Sequence, residues 1–272
     1  MRILFQSLIE AGRSPEYFRG MQARVAAIAR PDVSVDFVGM PEGVYGRWTP
    51  AEVVKYPYMA TVSTQLILEN ALRAEAEGYD VFAIGSVQDP ALEEARSLLN
   101  IPVVGYGESA MHFASCLATR FVVLAFQQGF EQMLDLRIQR LGLAARALPT
   151  MLIDAQFEDI GRGLSAPEQM IAQFKQAART AIAQGAEAII PGQLYLSEVV
   201  ARAGVTRIDE APVVDGLTSV LKMAESMADF KRLGIGVTRR GYLHASPPRE
   251  MVEHIRRFLS LPSTTSGPVG ES

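Results

Sequence analysis

Short apolar runs, each closed by a glycine or a polar residue, alternate along the chain with longer stretches of helical spacing. Residues 2–5, 33–38, 81–84, 101–104, 121–126, 147–153, 188–190 and 213–214 read as strands, and 234–237 as one more. Helical spacing covers residues 15–29, 60–77, 91–99, 108–118, 130–141, 170–184, 198–203, 216–230 and 248–259, with Ser165 to Glu168 resembling a capping box. Runs without a polar face suit parallel strands covered by helices on both sides. In such sheets chemistry gathers in the crevice beyond the strands' carboxyl ends. An α/β fold is therefore expected, with a site at that edge.

The pattern occurs twice. Residues 78–86, GYDVFAIGS, return 107 positions later as 185–193, GAEAIIPGQ, and the Pro-Val-Val of residues 102–104 returns 110 positions later at 212–214. The first strand, Ile3 to Ser7, has its own echo in Val123 to Gln128. Two pseudo-symmetric lobes are implied, each a mainly parallel sheet flanked by helices. Residues 1–118 plus 217–261 form the first lobe, 119–216 the second, and 262–272 a Ser/Thr/Gly/Pro tail expected to be disordered. In this arrangement Ser86 and Gln193 occupy equivalent places and approach one cleft from opposite sides.

Several residues at the same edge carry usable chemistry. Glu108 falls in the first turn of the helix after the fourth strand and His112 one turn further on, so both lie on one face as candidate bases. Gln6 and Ser7 follow the first strand, Gln127 and Gln128 its echo, and Ser109 opens a helix. Val87 and Leu194 follow the two central positions. Residues 39–57 hold glycines, three prolines, Tyr45, Arg47 and Trp48, the makings of a lid in which Arg47 can meet an anion.

Composition narrows the class of partner. The chain has 272 residues, 49% of them apolar and 21% charged, enough for a sizeable core in one large domain or two lobes. A net charge of −4 gives no reason to expect nucleic acid or an anionic membrane. No apolar run reaches the roughly 18 residues of a membrane span, and the start has no signal-peptide layout, so a cytoplasmic address is expected. Cys116 is the single cysteine, which leaves no intrachain disulfide and no thiol-rich metal site.

With Ile84-Gly-Ser-Val-Gln-Asp-Pro-Ala-Leu92, Pro102-Val-Val-Gly-Tyr-Gly-Glu-Ser-Ala110, Gly185-Ala-Glu-Ala-Ile-Ile-Pro-Gly192 and Pro212-Val-Val-Asp-Gly216 in view, the chain resembles the aspartate/glutamate/hydantoin racemase superfamily, most closely its hydantoin racemase branch. The resemblance implies two pseudo-symmetric α/β lobes with the site between them, a small-molecule substrate, no metal or organic cofactor, and a homo-oligomer. It also implies one cysteine after each central strand, working as a pair of proton-transfer thiols. Here those positions hold Ser86 and Gln193, and Cys116 is elsewhere. Neither a serine hydroxyl nor an amide titrates near neutral pH. The substitution points to hydrolytic or lyase-type cleavage of a small carboxylate or cyclic amide, with Ser86 as nucleophile or anion-binding hydroxyl and Gln193 as amide donor. The alternatives are an isomerase using non-cysteine acid and base groups, and a catalytically silent protein that binds a small carboxylate.

Overall fold

The computed structural model describes residues 1–155 and 157–261. The tail expected to be disordered, 262–272, lies outside the described residues.

Four parallel strands make the first sheet: β1 (Arg2–Glu10), β2 (Ser34–Met40), β3 (Val81–Ile84) and β4 (Val103–Gly105), in the order β2-β1-β3-β4. Helices α1 (Pro15–Ile28), α2 (Pro50–Val54), α3 (Pro57–Ala76), α4 (Leu92–Leu98) and α5 (Tyr106–Leu117) connect them. The second sheet has β5 (Phe121–Ala125), β6 (Met151–Leu152) and β7 (Ala188–Pro191), all parallel, in the order β6-β5-β7. Its helices are α6 (Phe130–Arg140), α7 (Phe157–Gly163), α8 (Glu168–Ala183) and α9 (Leu194–Arg202). An antiparallel pair, β8 (Arg207–Ile208) and β9 (Ala211–Pro212), leads to α10 (Gly216–Arg232), and α11 (Arg249–Phe258) closes the described chain. β3, β5 and β7 are buried at every residue, which is why their sequences are apolar without alternation.

Strand register turns the sequence echo into geometry. Phe82 pairs with Val103 in the first sheet, and Ile189 bridges Val213 in the second. Those partners stand 107 and 110 positions apart, the two offsets of the sequence repeat. Gln6 pairs with Ile84, and Leu124 with Pro191, so β1 and β5 are equivalent at an offset of 118. On that register Phe126 is the counterpart of Leu8.

The two sheets share one continuous core. Ile3, Phe5, Val81 and Ala83 of the first belong to the same apolar cluster as Val122, Leu124, Ile189 and Ile190 of the second. α10 packs on β3, β4 and α5, and on α9 as well. Buried polar ties reinforce the junction: the Tyr106 hydroxyl donates to the Pro191 carbonyl, and Arg24 of α1 donates to Glu198 at 2.8 Å and to Asp215 at 2.7 Å. A guanidinium that satisfies two carboxylates from two other helices fixes α1, α9 and α10 together.

Local expectations fail where a partner is missing. Residues 234–237 form no strand, and Ile235 is exposed, so the segment has no packed face to hold it extended. The Ser165 hydroxyl donates to the Arg162 carbonyl instead of capping, and Pro167 stands at the N-cap of α8. α9 starts at Leu194, four residues earlier than apolar spacing predicts, so Gln193 is its N-cap residue.

Candidate active site

Two glycines create the space for the site. A Cβ on Gly85 would lie 2.3 Å from the Phe5 ring, and one on Gly192 would lie 2.8 Å from the Leu124 carbonyl oxygen. Both strands, β3 and β7, therefore end against their central neighbour with no room for a side chain. The next residue in each case turns out of the sheet: Ser86 in the first lobe and Gln193 in the second. β1 contributes through a bulge. Its pairing with β2 passes from Gln6↔Val38 to Glu10↔Met40, so it carries two extra residues over this interval. A bulge re-aims the strand locally, and here Ser7, Leu8 and Ile9 are turned into the inter-lobe space.

These pieces enclose a cavity of about 70 Å³. Its walls are Ser7, Leu8 and Ile9 of β1, Tyr17 of α1, Pro50, Ala51 and Val54 of α2, and Gly85 to Gln88 after β3. Phe126 and Phe130 of the second lobe and Gln193 to Tyr195 at the start of α9 complete it. A single water occupies roughly 10–15 Å³ on the same measure, so the space suits a small ring. The walls are mostly apolar, and no lysine, arginine, carboxylate, histidine or cysteine lines the cavity among the described residues.

Ser86 and Gln193 differ in how they are satisfied. The Ser86 hydroxyl donates to Gln88 Oε1 at 2.7 Å. The Gln193 amide has both Nε2 and Oε1 shut off from solvent with no hydrogen-bond partner among the described residues. Tyr17 is fully buried, stacks edge-on against Tyr195 at 4.9 Å, and is hydrogen-bonded with Ser7. Burial raises the Tyr17 phenol far above its ordinary pKa against the opposing effect of Ser7, and the charge of Glu198 adds to the rise. Burial likewise raises Tyr195, whose hydroxyl meets Ser14 at 3.0 Å. Both phenols stay protonated at neutral pH, so each can donate one hydrogen bond and accept others.

The remaining expected residues are placed differently. Glu108 does not line the cavity: Arg96 of α4 grips its two oxygens at 3.1 and 2.5 Å. Burial alone would raise its pKa, but the hydrogen bonds and charge of Arg96 outweigh that and hold it below the ordinary value, so it is a poor base. His112 is exposed, as is Cys116, and neither reaches the cavity wall. Gln6 is fully buried, donating to the Ser7 carbonyl at 2.7 Å and accepting from Asn70 at 2.7 Å. Ser109 donates to the Gly105 carbonyl at 2.6 Å inside α5. Arg47 is exposed and lies over the Trp48 ring, while Gln127 and Gln128 line a separate, open and polar cleft with Thr49, Glu52 and Asp154. Ser7, Val87 and Leu194 do line the cavity.

The segment expected to be a lid supplies its apolar residues, not its cation. Arg13 anchors it by donating to the Trp48 and Gly46 carbonyls at 2.6 and 2.8 Å, and Tyr45 is buried with its hydroxyl on the Leu8 carbonyl. Thr49 and Glu52 form a capping box that starts α2, with Pro50 in its first turn. Thr49→Ala removes the cap from a five-residue helix. We expect ligand binding to weaken about fivefold, with faster hydrogen exchange at Val53 and Val54 and little change in global stability; unchanged exchange there would show that α2 is held by other contacts.

Sequence reasoning missed Tyr17, Tyr195, Phe130 and α2. The strand register makes Phe126 the counterpart of Leu8, and both line the cavity; the sequence echo, set two or three positions further along, did not pair them.

Among the described residues no group of three or more His, Cys, Asp or Glu is disposed to hold a metal ion, and no helix is long and apolar enough to cross a membrane. The fold thus defines a two-lobed α/β protein with a repeated strand pattern and a small cavity where the two sets of strand ends meet. The family model for Asp/Glu/Hydantoin racemase matches residues 10–224, and the chain belongs to that family. A hydantoin racemase from Pseudomonas sp. (strain NS671) is 29% identical over 213 residues, covering 78% of this chain and 81% of its own. An allantoin racemase from Klebsiella pneumoniae has the same fold at a TM-score of 0.74 and 24% identity, covering 91% of this chain and 94% of its own. A second allantoin racemase, from Pseudomonas fluorescens, superposes at a TM-score of 0.72 and 20% identity, covering 91% of this chain and 97% of its own.

Proposed function

We propose that the chain is an isomerase that moves a proton at the carbon beside the carbonyl of a small neutral cyclic amide, a ring of the hydantoin type. The observation that carries this reading is the unpartnered amide of Gln193, a residue of the cavity wall: Nε2 and Oε1 are closed to solvent, so a ring meets them as the side chain turns toward the cavity. A side-chain amide presents one N–H and one C=O side by side. The cis-amide edge of a lactam or hydantoin ring presents the complementary pair, so one ring satisfies both atoms at once. A lining without cations favours a neutral ring over a carboxylate, and Phe126, Phe130 and Val54 suit an apolar ring substituent.

In this reading Gln193 donates to the ring carbonyl and stabilises the negative charge that appears there as the neighbouring C–H ionises. Ser86 meets the ring from the other lobe; with no base in the described lining, solvent hydroxide takes the ring proton and the water so formed returns one to either face. The racemase relatives support proton transfer over the hydrolytic or lyase chemistry expected from the Ser86/Gln193 pair. A second reading, a silent binding protein, is favoured by one feature of the lining: it offers no group that would act as a base near neutral pH.

Incubation of the protein with an optically pure 5-substituted hydantoin in deuterated water separates the two. Isomerase activity predicts deuterium at the ring carbon and loss of optical rotation without breakdown, faster as pH rises above neutral. In Ser86→Ala we expect exchange to fall at least about tenfold, with binding nearly unchanged. Saturable binding without exchange at any pH would reject the isomerase in favour of the silent module, and new products would restore the cleavage reading.

A further inference from the structure

The turn that carries Ser86 is braced from the second lobe. Asp89 lies three residues on, its side chain fully buried and its backbone at φ +50°, a conformation unfavourable for a residue with a Cβ. Its N–H closes the turn onto the Ser86 carbonyl at 3.0 Å. Its carboxylate accepts from the Gly107 and Glu108 N–H groups at 2.7 and 2.8 Å, so Asp89 ties the loop to the start of α5. The fourth contact crosses the lobe boundary. Arg137 of α6 donates from Nε to Asp89 Oδ2 at 3.2 Å and from Nη1 to Glu93, while its Nη2 is buried with no partner. α6 begins at Phe130, which lines the cavity opposite the Ser86 loop.

We propose that Asp89 and Arg137 are positioning residues: while Asp89 is charged, their ion pair holds the Ser86 loop against the second lobe in its ring-binding geometry, and protonation of Asp89 slackens it. A buried pair held on both sides by further bonds, Asp89 to α5 and Arg137 to Glu93, has few ways to relax. Losing the carboxylate charge leaves Glu93 as the charged partner of Arg137, and the strained Asp89 backbone is then held by weaker bonds. The groups that face Asp89 are Arg137 from α6, Glu93 from α4, Glu108 and Tyr106 from α5, and, behind Glu108, Arg96 of α4 and His112. Burial pushes Asp89 up to about 7, against the charge of Arg137 and the two backbone donors that lower it. The change of state therefore falls near neutral pH. Its sign is fixed: charged and braced above that pH, neutral and slack below it.

The test has two arms, and only the second rests on the reading of the cavity as a ring site. In the first, amide resonances are followed by NMR from pH 5.5 to 8.5 without ligand. Gly107 and Glu108, the donors to Asp89, are expected to titrate with a midpoint near 7, and Ser86, Val87 and Gln88 to titrate in step. In Asp89→Asn none of these shifts occurs. In Arg137→Met the midpoint moves up by about one unit or more as the cation is withdrawn. In the second arm, wild-type affinity for a 5-substituted hydantoin falls about tenfold or more from pH 8 to 5.5, and Asp89→Asn binds weakly without pH dependence. A loop that does not titrate with Gly107 and Glu108, or an Arg137→Met midpoint left in place, overturns the proposal. Titration of the loop without hydantoin binding leaves the brace standing and rejects the ring reading. Should Asp89→Asn fail to fold, Arg137→Met and the wild-type titration still decide.

Discussion

Gln193→Leu should make the protein more stable and unable to bind the ring proposed as its ligand. The side chain changes little in volume, but two buried polar atoms without partners disappear from the cavity wall. Leaving a buried amide unmet costs about 1–3 kcal/mol, and an apolar replacement recovers most of it. In a chain of this size that corresponds to a rise of roughly 2–10 °C in Tm. Binding moves the other way. Two hydrogen bonds to the cis-amide edge contribute about 1–3 kcal/mol together, so affinity for a hydantoin should drop about tenfold to a hundredfold. The two readouts, a melting curve and a titration, are expected to move in opposite directions in the same variant. A Gln193→Leu protein that melts lower and binds as before would show that the amide has a structural partner and is no ligand contact. Gln193→Glu sharpens the contrast, because a buried carboxylate in an apolar wall should lose both properties.

The duplicated frame was readable in the sequence because strands buried on both faces leave no choice of residue type. Val81 to Ile84 and Ala188 to Ile190 must be apolar throughout, and the glycines after them must be small where Phe5 and the Leu124 carbonyl press close. The same logic located Ser86 and Gln193, which the fold brings to one cavity. What remained illegible depends on partners far away in the chain. Glu108 sits in the first turn of α5 as expected, yet its function is decided by Arg96, a helix away, which occupies both oxygens. Ser7 to Ile9 line the cavity through a bulge that exists only relative to β2. Tyr17 and Phe130 reach the site from helices whose apolar stripes look like ordinary core. Gln6, an attractive polar residue at a strand end, is consumed by the Ser7 carbonyl and Asn70.

Stability and site geometry meet again at Gly107, where alanine is expected to be the most damaging small change in the first lobe. A Cβ there would lie 2.0 Å from the Val87 carbonyl oxygen and 2.9 Å from Asp89 Oδ2. The obstacle is backbone on one side and a fully buried carboxylate with three bonds on the other, so no flexible side-chain end can swing away. The loop of Ser86 and Val87 would have to lift by more than an ångström, breaking the Asp89 cap and opening the cavity wall. Overpacking of this kind costs about 3 kcal/mol or more, and the fraction that stays folded should bind hydantoin at least about tenfold more weakly. Gly78→Ala separates this from ordinary backbone strain. Gly78 has φ +75° and nothing within 4 Å of an added Cβ, so alanine there costs about 1–2 kcal/mol of conformational strain and leaves binding intact. Denaturant midpoints and ligand titrations on the two variants check the distinction. If both glycines behave alike, losing only stability, then the contact between α5 and the Ser86 loop does not set the cavity.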